Sequence, residues 1–321
     1  MRLAHIGPRG IIQQWRDYSA KYASLVEAVR ASGIELLGLK GACFGAAGPV
    51  EKGRCVVTNL PWVLDERKLR RGLGLPHVRL LNDLAAMAWG ATQTKKRVSL
   101  QRGKSKGNIA VLAAGTGLGE AAWIEADNGG LVLSTEGGHA DFAPRTREEF
   151  EILEFAAARL SGRVSCERVL SGPGLTLLYD FYRDRRRYGE SRQAAHEREA
   201  AADPNRVILA LSRKRGHRAA RAAVDAFVSL YGAEAGNLAL RVRASGGICI
   251  GGSLANALAN ELRSKHFFSA LHDKGRFAPW LKSLRIDLIT DPDIALHGAF
   301  VFATQGCVRS TLGLQVTQKE K

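Results

Sequence analysis

Hydrophobic and polar positions follow two periods along this chain, and the switches from one to the other mark its most informative segments. Ile11 to Trp15 and Leu36 to Phe44 read as strands, with a helix from Tyr22 to Ala31 between them that ends near Gly33. A flexible turn, Gly45-Ala46-Ala47-Gly48-Pro49-Val50, precedes the segment Val56 to Trp62 and a short amphipathic helix from Asp65 to Gly72. Val78, Leu80 and Leu81 then form a short buried strand, and Leu84, Met87 and Ala88 repeat at helical spacing. Asn82 and Asp83 therefore stand at a strand-to-helix switch, at the carboxyl end of a sheet, where open α/β sheets bind ligands. Further on, Glu148 to Leu160 predicts a helix with Phe150, Leu153, Ala157 and Leu160 on one face and Gly162 just past its end. Val224, Phe227, Leu230 and Tyr231 mark the face of another, buried helix.

Two other segments carry candidate chemistry. Ile109 to Ile124 is a pair of apolar runs joined by Gly115-Thr116-Gly117-Leu118-Gly119, which predicts a β-hairpin. Its glycines let backbone N–H groups approach an anion, and Thr116 adds a hydroxyl, so the turn suits phosphate. It opens a second strand rather than a helix, which argues against a dinucleotide fingerprint. Ser134 to Pro144 contains Glu136-Gly137-Gly138-His139, a loop able to wrap a polyhydroxyl ligand, because a carboxylate accepts from vicinal hydroxyls while an imidazole both donates and accepts. Taken singly, the Asn82-Asp83 pair reads first as a helix cap and the Glu136 to His139 loop as a solvated surface turn, while the glycine segment reads equally as an ordinary hairpin turn.

Composition narrows the class. The chain has 321 residues and 45% hydrophobic content, enough for two lobes around a cleft. Cys43, Cys55, Cys166, Cys249 and Cys307 are scattered without metal-type spacing, which points to reduced thiols, a cytoplasmic location and no metal site built by the protein. No apolar run reaches the ~18 residues of a membrane span, and the first residues do not read as a secretory signal. Lys and Arg number 47 against 31 Asp and Glu, a formal +16. Much of the excess lies in three segments, Lys95 to Lys106, Arg183 to Arg187 and Arg206 to Arg221; the first two read as exposed loops and the third flanks the buried helix. Aromatics are 7% and no helix-turn-helix is evident, so the charge reads as solvated surface rather than a nucleic-acid site.

In this order and spacing, the segments resemble the bacterial-type glucokinase family of the sugar-kinase, actin and heat-shock ATPase superfold. Further family-like phrases are Cys166-Glu167-Arg168-Val169-Leu170-Ser171-Gly172-Pro173-Gly174-Leu175, Gly236-Asn237-Leu238-Ala239-Leu240, Gly246-Gly247-Ile248-Cys249-Ile250-Gly251-Gly252, Lys274-Gly275-Arg276-Phe277 and Ala295-Leu296-His297-Gly298-Ala299-Phe300. The resemblance implies an α/β two-lobe sugar-kinase fold. Residues 1–107 with a returning helix near 295–306 would form the small lobe, and 108–294 the large one. It implies ATP-dependent phosphorylation of glucose to glucose 6-phosphate, the first step of glycolysis, with ATP and Mg²⁺ as cofactors and a homodimer as an admissible assembly. Asp83 would be the general base, with Asn82, Glu136, His139 and Glu167 holding the sugar hydroxyls. Gly115, Thr116, Gly117 and Gly119 would form a phosphate loop, and Gly251 and Gly252 would line the adenosine pocket. Without the family register, Glu167 is a helix-start carboxylate.

One departure sets a contrary expectation. Family members open with a strand ending in an Asp-x-Gly-Gly-Thr turn, followed by a phrase like Arg2-Leu3-Ala4. Gly7 and Gly10 do not replace that turn, because Pro8 lacks a donor and both glycines fall in the next hairpin. The expectation is little or no activity for the chain as written, a loosened Leu3 to Ile6 strand, and an in-frame upstream segment that restores the turn. A non-catalytic sugar-binding or regulatory protein of the same fold is the alternative.

Overall fold

The computed structural model describes residues 1–7, 10–127 and 129–311. The chain divides into two compact units, Met1–Lys95 with the segment from Asp291, and Lys96–Thr290.

In the first unit, β1 (Arg2–Gly7) and β2 (Gly10–Arg16) form an antiparallel ladder that sets Leu3 opposite Trp15. Helix α1 (Leu25–Ala31) starts at Ser24, whose hydroxyl accepts the Glu27 amide at 3.2 Å. The helix is thus shorter than the Tyr22 start expected. β3 (Ala42–Ala46) also begins later than the expected Leu36, because Leu36 to Leu39 closes a turn with Gly38 at φ +80° and leaves Leu37 exposed. β4 (Val50–Glu51), β5 (Arg54–Val56) and β6 (Val63–Asp65) make a small antiparallel sheet. Asp65 then caps α2 (Glu66–Leu73) through the Arg67 and Lys68 amides, each at 3.0 Å. β7 (Val78–Asn82) lies parallel to β3 and runs directly into α3 (Asp83–Ala91). Leu25, Val29, Leu69, Leu73, Val78 and Leu80 form the core of this unit.

The second unit is built on a six-stranded sheet of β8 (Arg97–Gln101), β9 (Ile109–Ala114), β10 (Leu118–Ile124), β11 (Leu131–Thr135), β12 (Gly247–Gly251) and β13 (Ile286–Ile289), in the order β11-β10-β9-β12-β13-β8. β9, β12 and β13 are mutually parallel, and β12 and β13 are buried at every position, including Asp287 of β13, which pairs with Arg97 and Arg285. The helices are α4 (Arg147–Arg159), α5 (Cys166–Val169), α6 (Gly172–Asp180), α7 (Arg192–Ala200), α8 (Pro204–Ser212), α9 (Arg218–Arg241), α10 (Ser253–Ala257), α11 (Lys265–His272) and α12 (Ala278–Lys282). α9 buries Val224, Phe227, Leu230 and Tyr231 together, as its periodicity predicts. The Tyr231 hydroxyl, fully buried, accepts the Ala114 amide at 3.2 Å and lies 3.2 Å from the Leu112 carbonyl, fixing the end of β9.

Three expectations change here. α4 turns Ile152, Phe155 and Ala156 inward with Glu149, while Phe150 is 51% exposed; the Glu149 carboxylate enters the interior because Arg145 pairs with it. The segment from Lys95 to Lys106 is a loop only in its second part, since β8 pairs with β13 and Arg97 meets the buried Asp287 at 3.2 Å, while residues 102–106 are exposed. That pairing moves the unit boundaries to Lys95/Lys96 and Thr290/Asp291, away from 107 and 294. Nor is Arg183 to Arg187 a solvated loop: it continues α6, and Arg183 pairs with Asp180 at 3.0 Å and Asp184 at 2.6 Å.

The last helix, α13 (Ile294–Thr311), belongs to the first unit and packs on α3, with the Phe302 ring 5.9 Å from Trp89. Gly298 makes this possible, because a Cβ there would collide with the Ala86 carbonyl.

Candidate active site

Each unit contributes a group of the expected residues. In the first, β7 ends because Asn82 turns its side chain back onto the chain. Its Oδ1 accepts the Leu84 amide at 2.9 Å and the Ala85 amide at 3.3 Å, and its Nδ2 donates to the Gly48 carbonyl at 3.2 Å. Asn82 is thus a helix cap as well as a candidate ligand, and it ties α3 to the Gly45 to Val50 turn. Asp83 occupies the first turn of α3, where one carboxylate oxygen accepts the Leu84 amide at 2.9 Å.

In the second unit the remaining residues converge. β9 and β10 form the predicted hairpin. Within its turn the Gly115 amide donates to the Gly117 carbonyl at 2.9 Å, and the Gly115 carbonyl accepts the Gly172 amide at 2.8 Å. Gly119 pairs with Ala113 in the ladder. Gly115 and Gly119 therefore shape the turn, while the Thr116 and Gly117 amides and the Thr116 hydroxyl donate to no group among the described residues. Two open N–H groups and one hydroxyl in a glycine turn are a donor set that fits phosphate oxygens. Gly251 ends β12, and Gly252 (φ +93°) packs so tightly on the Ala114 carbonyl that a Cβ there would collide with it. The Gly115 to Gly119 turn and Gly251-Gly252 thus sit together at the carboxyl ends of neighbouring parallel strands.

β11 leads into a single 3₁₀ turn, Gly137–His139, closed by the Ala140 amide on the Gly137 carbonyl at 2.9 Å. This turn places His139 Nε2 4.0 Å from Glu136 Oε2 and His139 Nδ1 4.0 Å from Glu167 Oε1. Glu136 and His139 are exposed and Glu167 is half-buried. The other oxygen of Glu167 accepts the Leu118 amide at 3.0 Å, and a Cβ on Gly117 would lie 2.5 Å from it. One carboxylate therefore touches the Gly115 to Gly119 turn with Oε2 and faces His139 with Oε1.

The glucokinase family model matches residues 7–306. The chain belongs to the glucokinase family. It is 37% identical over 279 residues to a glucokinase of Nostoc punctiforme, covering 82% of each chain. Among solved structures it resembles a glucokinase from an Antarctic psychrotroph, with TM-score 0.79 and 27% identity over 93% of this chain and 92% of the other. A glucokinase of Streptomyces griseus, solved with glucose and AMPPNP, shares the fold at TM-score 0.61 and 20% identity over 94% of this chain and 95% of that one. The fold is that of the two-lobe sugar kinases, and the family's reaction is the ATP-dependent phosphorylation of glucose.

Two features of the glucokinase-family site escape the sequence pattern. One is the double duty of Glu167, which joins segments 49 residues apart. The other is the pair of buried carboxyls, Glu120 and Glu234, beneath the Glu136 to His139 loop.

Proposed function

We propose that Asp83 takes the proton of the glucose 6-hydroxyl as that oxygen attacks the terminal phosphorus of ATP, so that glucose 6-phosphate forms and ADP leaves. Asn82, Glu136, His139 and Glu167 hold the remaining hydroxyls. A carboxylate accepts from sugar O–H groups and an imidazole nitrogen completes the set, so the shared 4.0 Å spacing of His139 to Glu136 and to Glu167 supports this reading most directly. The Thr116 and Gly117 donors meet the ATP phosphates, and Gly251 and Gly252 bound the adenosine side. Mg²⁺ enters on the phosphates and offsets their charge, the usual arrangement for this ion. Catalysis in such chemistry is mostly positioning and charge stabilisation, to which a carboxylate base adds about 10²–10⁴-fold.

The cytosol is the proposed setting, a reading supported by the free thiols of Cys43, Cys55, Cys166 and Cys249. No described helix is long and apolar enough to cross a membrane.

The test is Asp83→Asn, measured by a coupled assay with glucose and Mg-ATP and by glucose titration calorimetry. Turnover is expected to fall by about 10²–10⁴-fold while glucose affinity stays within a few-fold. Near-normal turnover would remove Asp83 from the role.

A further inference from the structure

Glu120 stands in the middle of β10 at 1% exposure, and Glu234 faces it from α9 at 5%. The Arg241 guanidinium lies 2.7 Å from Glu234 Oε1 and 3.8 Å from Glu120 Oε2, and Asn237 donates to Glu234 Oε2 at 2.9 Å. The Cys166 thiol is 3.8 Å from Glu234 Oε2, and Tyr231 and Lys274 are the other titratable groups facing the pair. Glu120 Oε1 meets no donor among the described residues. Both carboxylates are buried and the Arg241 contact is weighted to Glu234, so Glu120 Oε1 is left without a donor, and a proton kept on Glu120 lowers the cost of burying it.

This pair forms the floor of the hydroxyl-binding loop. Gly137 rests on Glu120 Oε2 so closely that a Cβ there would collide with it. Thr135 Oγ1 donates to the Glu120 carbonyl at 2.9 Å and accepts the Gly137 amide at 3.2 Å. Cys166, in contact with Glu234, donates its amide to the Ala140 carbonyl at 2.9 Å and is followed by Glu167. No step of the proposed reaction uses Glu120 or Glu234.

We propose that Glu120 keeps its proton beside Glu234 and that the two act as a positioning pair, holding Gly137 and Cys166 so that Glu136, His139 and Glu167 keep the spacing glucose needs. The proposal rests on the reading of those three residues as sugar ligands. Burial, and then the neighbouring Glu234 charge, push the Glu120 carboxyl up to about 7, with Arg241 opposing. The Glu120 proton is therefore lost close to neutrality. Its loss sets two like charges against each other under the loop, and glucose affinity falls by the fraction of protein that has lost it.

The experiment is the KM for glucose and kcat from about pH 6 to about pH 9, for the unaltered chain, Glu120→Gln and Glu234→Gln. In the unaltered chain KM is expected to rise by about tenfold or more across this range, with kcat at saturating glucose changing less. Glu120→Gln, which keeps a neutral donor, should hold KM within about twofold of its low-pH value throughout. Glu234→Gln removes the like charge and should flatten the profile too, so the outcome does not depend on one variant folding. His139 is present in all three proteins, so differences between the profiles report the pair. A flat profile in the unaltered chain, or the same rise in both variants, overturns the proposal. If instead Glu136→Gln and His139→Ala leave glucose binding unchanged, the sugar-site reading fails first and the positioning role falls with it.

Discussion

The two groups of site residues are supported in different ways. Glu136, His139 and Glu167 stand on the edge of a six-stranded sheet whose central strands are bonded on both sides and anchored by Tyr231. Asp83 follows a strand with one partner, β3, and owes its position to the Asn82 cap and the packing of α13 on α3. The large unit ties Glu167 to another element through the Leu118 amide, whereas the small unit sets Asp83 through the neighbouring Asn82 cap and the packing of its helix. A binding site that must recognise several hydroxyls at once gains from the first arrangement. A base that needs only one well-placed oxygen is served by the second.

The largest expected effect is the loss of turnover in Asp83→Asn described above, which tests the small unit's side of this contrast alone. A smaller effect separates two carboxylates within the large unit. Glu136→Gln should weaken glucose binding by about 1.5–3 kcal/mol, the range for a charge-assisted hydrogen bond, and leave the KM for ATP unchanged. Glu167→Gln should weaken glucose binding by about the same amount and also raise the KM for ATP, because its second oxygen holds the Leu118 amide of the phosphate turn. If Glu167→Gln leaves ATP untouched, the shared carboxylate is not a functional link.

Hydrogen exchange tests the scaffolds themselves. Amides of β9 and β12, each with partners on both sides, should open only with global unfolding; alternate amides of β1 and β3, which have one partner each, should exchange sooner. Equal protection in the two units would dissolve the contrast. The smallest expected effect concerns charge. Binding of DNA or RNA to this +16 chain should be independent of sequence and largely lost at physiological salt, where counterion release no longer supplies the affinity. A salt titration showing selective binding that persists would contradict this.

What the sequence makes legible follows from range. The β7-to-α3 switch, the β9–β10 hairpin and the buried face of α9 are written in neighbouring residues, so period and turn chemistry expose them. Local pattern misleads where a polar side chain finds a partner elsewhere. Phe150 outranks Glu149 on any apolar count, yet Arg145 carries Glu149 inward. The burial of Glu120 within an apolar run has no local signal, because Glu234 and Arg241, its partners, lie more than a hundred residues away. Leu36 to Lys40 has a strand-like share of leucines, but Gly33 and Gly38, both with positive φ, bend the chain there. The roles proposed for Asp83, Glu136, His139 and Glu167 came from the family likeness; neither pattern nor composition assigns them.

The burial of Cys166 has a consequence for the durability of the protein. Its thiol is pushed up to about 12 by burial, then by the charges of Glu234 and Glu120. At neutral pH the thiolate, the form that peroxides and alkylating agents attack, is then on the order of one part in 10⁵. Glu167 follows Cys166 directly, so a sulfenic acid at Cys166 would push into the start of the helix that carries a proposed sugar ligand. The acidic surroundings that shape the loop thus also disfavour the thiolate, and Cys166 should be alkylated slowly in the folded protein.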